Sequence, residues 1–97
     1  MEQSPDIDDW SIRRKRLAHR AHYRGFKEAD LLIGGFARAY SATLTKEEIL
    51  MFEDLLTAKD HDIYAWINGT LPVPANFDTP LFERLRAFRP TIAGQST

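Results

Sequence analysis

Few residues in this chain have the type and spacing that chemistry needs. His19 and His22 lie three apart, a spacing that can hold a metal where two carboxylates converge, and Glu28 and Asp30 are near in sequence. Both imidazoles sit among Arg13, Arg14, Lys15, Arg16 and Arg20, so a solvated polar face is the better reading and no metal site is expected. A hydrolase would need a nucleophile in a strained turn with a placed histidine and acid. Here Ser and Thr are scattered at cap positions, and no Gly-x-Ser-x-Gly occurs. Gly34-Gly35 has neither the following lysine nor the strand–turn–helix context of a phosphate loop. The absence of cysteine removes thiol nucleophiles, thiolate metal sites and disulfides together. The chain does not read as an enzyme.

A sharper local feature is Arg24-Gly25-Phe26-Lys27-Glu28-Ala29-Asp30. A glycine between two helices allows a turn with positive φ and a close approach by a partner. Arg24 can present a planar fork to a carboxylate, phosphate or carbonyl, and Glu28 follows within one helical turn. On physical grounds two readings stand level. One is a docking corner. The other is an ordinary helix–turn–helix connection with a local Arg24–Glu28 pair worth under about 1 kcal/mol.

Charge is laid out unevenly around this corner. The 97 residues carry thirteen Lys and Arg against fourteen Asp and Glu, a formal net charge of −1. Residues 1–9 hold four acids, whereas residues 10–27 hold seven bases and no acid. Residues 28–62 then hold eight acids against three bases. The basic run with Tyr23 and Phe26 nearby could grip phosphates, so a small basic-helix nucleic-acid-binding or regulatory protein is the alternative function. The acidic remainder and the lack of a base-reading helix weigh against it. The apolar-or-glycine run Leu31–Ala37 is far short of the roughly 20 residues a membrane span needs. The acidic N-terminus resembles neither a secretory signal nor a mitochondrial presequence, so the expected location is the bacterial cytoplasm.

The elements that must position the corner read as helices. A first runs from about Asp9 to His22, capped by Ser11 or Asp9, with Trp10, Leu17 and Ala21 on one face. A second runs from about Phe26 to Ser41, with Ala29, Leu32, Ile33, Phe36 and Tyr40 at helical spacing. Within it Gly34-Gly35 is a conflict, since mid-helix glycine costs about 1 kcal/mol relative to alanine. Either a neighbouring helix crosses closely there or the helix bends. A strand over Leu31–Phe36 competes, but it has no partner.

Thr45 and Glu48 form a capping box before Ile49, Phe52, Leu55 and Leu56. Asp60 or Asp62 is expected to cap a fourth helix bearing Ile63, Tyr64, Trp66 and Ile67, ended by Gly69. Trp66 is expected in the core with a partner for its indole N–H. Thr79-Pro80 opens a fifth helix with Leu81, Phe82, Leu85 and Phe88. The expectation is an all-α, single-domain bundle of about five short helices over residues 9–90. A flexible acidic segment over 1–8 and a disordered tail over 91–97 flank it.

These segments together resemble a known family. Arg24-Gly25-x-x-Glu28-x-Asp30, Leu44-Thr45, Phe52-x-x-Leu55-Leu56 and Asp60-x-Asp62-Ile63-Tyr64-x-Trp66-Ile67 are similar to the succinate dehydrogenase assembly factors, called SdhE in bacteria. The likeness spans roughly residues 15–74. It implies a compact five-helix bundle that chaperones the flavoprotein subunit of succinate dehydrogenase, and often of fumarate reductase. The implied role is to promote covalent attachment of FAD to a histidine of that client. No cofactor is then held stably by the chain itself. Arg24, Gly25 and Glu28 carry over as the signature and Asp30 as the family's recurrent acid; Phe26 joins them as an expected partner anchor. Gly34-Gly35 replaces bulkier residues of the family pattern, and the first helix is unusually basic. The expected protein is a monomer whose partner is the flavoprotein, not nucleic acid or membrane.

Overall fold

A computed structural model describes residues 5–22 and 25–89 and, from residue 10 onward, their side chains. The expected tail over 91–97 lies outside the described residues. Helix α1 spans Pro5–Arg20. It begins four residues earlier than its hydrophobic pattern suggested, because proline at a first helical position lacks only an N–H that would go unused. Asp9 and Ser11 therefore lie inside the helix, past its first turn.

The second helix, α2, is continuous but not uniform. It is α-helical over Lys27–Ala29, a π-helix over Asp30–Gly34 and α-helical again over Gly35–Tyr40. The Gly35 N–H donates to the Asp30 carbonyl, five residues back, which widens the turn. Helix α3 spans Lys46–Leu55, α4 Asp60–Asn68 and α5 Pro80–Ala87. A 3₁₀ turn at Ala75–Phe77, unforeseen from the pattern, follows the two prolines and lays Phe77 against Trp66, ring centroids 5.4 Å apart. No strand occurs among the described residues, and the fold is all-α.

Local signals set most boundaries. Thr45 Oγ1 accepts from the Glu48 N–H at 3.1 Å, and Glu48 Oε1 accepts from the Thr45 N–H at 2.9 Å. That closes the capping box, with Leu44 buried beside Ile49 as its apolar partner in the core. Thr79 Oγ1 accepts from the Phe82 N–H at 3.1 Å, with Pro80 at the first helical position. Gly69 ends α4 at φ 82°, in the left-handed region. The cap expected for α4 is absent: it starts after Lys59 with no side-chain cap, and Asp60, its first residue, is used elsewhere.

The core is wholly apolar. Leu17 of α1 and Ala21 just past its end cluster with Ala29, Ile33, Phe36 and Ala37 of α2 and Ile49, Phe52 and Leu55 of α3. Ile63, Trp66 and Ile67 of α4 and Leu81, Phe82 and Leu85 of α5 complete it. Phe36 stands at the centre, edge-on to Phe52 at 5.6 Å and to Phe88 at 5.7 Å. Trp66 is buried, but its indole N–H bonds to none of the described residues; among those residues no buried side-chain nitrogen or oxygen lacks a partner, so that N–H stays in reach of solvent. Trp10 is only half-buried, its ring flanked by the Arg13 guanidinium at 4.8 Å and the Lys46 ammonium at 5.3 Å.

The adjoining glycines of α2 are explained by these neighbours. A Cβ on Gly34 would lie 2.7 Å from Asp30 Oδ1 and 2.9 Å from the Ala21 carbonyl oxygen. One on Gly35 would meet the Phe88 ring at 3.3 Å. The close crossing raised by the sequence is present, made by Ala21 just past α1, and the helix takes a π turn at these residues.

Candidate functional site

The corner joins the end of α1 to the start of α2. After Arg20 the Ala21 N–H still bonds to the Leu17 carbonyl at 2.9 Å, and the His22 N–H closes a tighter turn on His19 at 3.1 Å. Phe26 then adopts extended backbone (φ −147°, ψ 162°) and receives the Asp30 N–H at 3.0 Å to start α2. Tyr23 and Arg24 lie outside the described residues, and with them the expected Arg24–Glu28 pair.

Gly25 is held from an unexpected direction. Its N–H donates to Asp60 Oδ2 at 2.6 Å, a short charge-assisted bond to the first residue of α4. The glycine of the described chain in the left-handed region is Gly69. Space favours glycine at Gly25. A Cβ there would sit 3.0 Å from that same carboxylate oxygen. The close approach anticipated for a partner is thus made, on this side, by the chain's own α4.

Phe26 reinforces the same junction. Its half-buried ring stacks on His61 (4.5 Å, 15°) and meets Tyr64 edge-on (5.3 Å, 87°). Such ring pairs contribute about 0.5–1.5 kcal/mol beyond burial. Phe26 is therefore fastened to α4, which fixes the corner's orientation. Glu28, one turn on, is exposed and makes no hydrogen bond or ion pair among the described residues.

Asp30 does something different. It is half-buried over Gly34, with Oδ1 3.9 Å from His22 Nδ1. That same ring nitrogen accepts from Arg38 Nη1 at 2.6 Å. His22, Asp30 and Arg38 therefore form a polar cluster behind the corner, tying the end of α1 to the π turn. No group of three His, Asp or Glu among the described residues is placed to hold a metal ion.

The expected site residues divide accordingly. Gly25 and Glu28 face solvent, Phe26 and Asp30 brace the corner from within, and Arg24 is not described. Sequence reasoning missed Asp60, His61 and Tyr64 as parts of this site. The signal lay in plain view as the Asp60-x-Asp62-Ile63-Tyr64 segment, but nothing local says that it folds against a glycine 35 residues earlier.

The geometry joins the two segments that carried the resemblance. The chain matches the family model described as flavinator of succinate dehydrogenase over residues 15–89. It is 41% identical over 78 residues to the FAD assembly factor SdhE of Acetobacter pasteurianus, covering 80% of this chain and 72% of that protein. The mitochondrial succinate dehydrogenase assembly factor 2 of Komagataella phaffii is 39% identical over 79 residues, and that of Drosophila grimshawi 32% over 77. These alignments take in 81% and 77% of this chain but 39% and 52% of those proteins, so the chain spans about half the length of its mitochondrial relatives, or less. Matched over most of its length, with both corner segments inside the match, the chain belongs to the family of succinate dehydrogenase flavinators.

Proposed function

We propose that this chain is a non-enzymatic assembly factor that binds the flavoprotein subunit of succinate dehydrogenase, or of fumarate reductase, and promotes covalent attachment of FAD to it. The observation that carries the reading is the corner itself. An exposed glycine backbone and an exposed Glu28 carboxylate sit on a turn pinned by Asp60 at 2.6 Å and by Phe26 against α4. A pre-ordered polar corner loses little conformational entropy on docking. It can therefore discriminate between arrangements of a client's domains.

The action follows from differential binding. A factor that prefers one client arrangement shifts the population toward it, by at most its difference in affinity. If the preferred arrangement holds flavin and acceptor histidine in near-attack geometry, the bond forms faster with no reacting group supplied by this chain. The flavin belongs to the client, and this chain holds no cofactor of its own. We place the factor in the bacterial cytoplasm as a monomer. No helix among the described residues is long and apolar enough to cross a membrane.

The experiment is covalent flavin fluorescence of the succinate dehydrogenase flavoprotein in cells lacking this chain. Loss of the signal, restored by the wild type and not by Gly25→Arg, is the expected result. Full flavinylation in the deleted strain overturns the reading.

A further inference from the structure

A groove of about 530 Å³ runs between α1 and α3, lined by Ile12, Arg13, Arg16, Leu17, Arg20 and Glu53. Arg13, Arg16 and Arg20 recur at three and four residues, so their side chains share one face of α1. The groove already contains a worked example of what such a row can hold. Arg13 grips the Glu53 carboxylate with both arms of its fork, Nη2 to Oε1 at 2.6 Å and Nε to Oε2 at 3.2 Å. Arg16 has no such partner: it is exposed and makes no hydrogen bond or ion pair among the described residues. Like charges three and four apart repel, and a merely solvated helix face usually interleaves acids among its bases. Residues 10–27 contain none.

Two large aliphatic side chains flank these charges. Ile12 is 44% exposed and Leu50 is 47% exposed. Leu50 lies three residues before Glu53 on α3 and shares its face. We infer that this groove is a second protein-docking surface, which takes an acidic segment bearing aliphatic side chains from a partner chain. Arg16 receives a carboxylate as Arg13 receives Glu53, and Ile12 and Leu50 cover the aliphatic groups. A nucleic-acid phosphate backbone fits less well, because it has no aliphatic groups for Ile12 and Leu50 to cover.

The test needs no client. A fluorescein-labelled dodecapeptide in which Asp and Glu alternate with Leu is titrated against the full chain at about 0.15 M salt, where exposed charges still interact over roughly 8 Å. Its counterpart with Lys in place of every acid, duplex DNA and phosphatidylglycerol vesicles are the other arms. The acidic peptide is expected to bind at least about tenfold more tightly than each of these, and Arg16→Glu to weaken it about tenfold. Arg16→Lys, which keeps the charge and loses the fork, should fall between, and Arg89→Glu on the far terminal turn should change nothing. Thermal melting of each variant separates lost binding from lost fold. Equal binding of acidic and lysine peptides, tighter capture of DNA or vesicles, or indifference to Arg16→Glu in a folded variant overturns the inference.

That the partner is the flavoprotein rests on the function proposed above, and the two fail separately. If Gly25→Arg abolishes flavoprotein capture while Arg16→Glu leaves it and the acidic peptide unaffected, the groove is refuted and the corner stands.

Discussion

Gly25 and Gly34 are both crowded glycines, yet different kinds of atom crowd them. At Gly34 the space is closed by a main-chain atom, the Ala21 carbonyl oxygen, as well as by Asp30. At Gly25 it is closed by one side-chain carboxylate, that of Asp60. Backbone in a packed core cannot step aside, whereas the end of a side chain can swing at little cost. The first glycine is therefore a condition of folding. The second is a condition of one surface having one shape. A glycine favoured by a close side chain at an exposed corner protects the order of that corner, and order is what a docking surface requires.

Substitutions can break this comparison. The largest effect on stability is expected from Gly34→Ala. A forced methyl costs about 1–3 kcal/mol in a packed site, more than the roughly 1 kcal/mol alanine returns in helix propensity. Urea unfolding should show a net loss; a stabilised variant would mean that α1 can slide off α2 freely. Gly69→Ala comes next, at about 1 kcal/mol, because φ 82° is costly for any residue with a Cβ even where nothing crowds it.

Gly25→Ala should lower stability least of the three, by under about 0.5 kcal/mol, since its corner is exposed and only a side chain must yield. Flavoprotein capture should nevertheless fall, and Asp60→Ala should reproduce that fall without touching Gly25. If Asp60→Ala leaves capture unchanged, the bond from Gly25 orders nothing that matters.

The smallest effect is on pH dependence, far from the corner. The Thr45 N–H of the capping box, and next the Arg84 guanidinium at 2.7 Å, hold the Glu48 carboxyl below the usual carboxylate range. In the unfolded chain the group takes up its proton at higher pH. Glu48 therefore contributes stability that is complete above the ordinary carboxylate range and is lost as pH falls through its lowered folded value. Glu48→Gln should flatten the acid limb of a stability profile measured by urea unfolding. An unchanged limb would remove Glu48 as its cause.

The same contrast between local and distant causes decides what could be read from the residues alone. Thr45 with Glu48, Thr79-Pro80 and Gly69 act within one turn of themselves, and each stands where its type and spacing put it. The core stripes of α3, α4 and α5 were legible for the same reason. Gly34-Gly35 registered only as a conflict, because its resolution lies in Ala21 and Phe88, on other helices. Asp60 was misread as a cap because that role needs only its immediate neighbours, whereas its actual bond reaches back to Gly25. Phe26 was read as an anchor for a partner, and its rings of contact on His61 and Tyr64 could not be inferred from spacing. The start of α1 was missed because the apolar stripe begins after the helix does.

The central claim is that the corner docks a client and contributes little to the fold. Its most direct measurement is titration of purified flavoprotein subunit with the wild-type chain and with Gly25→Arg, with thermal melting recorded on the same preparations. The account predicts that the variant loses at least about a hundredfold in affinity while its melting point shifts by no more than a few degrees. Retained affinity, or affinity lost only together with the fold, would contradict it.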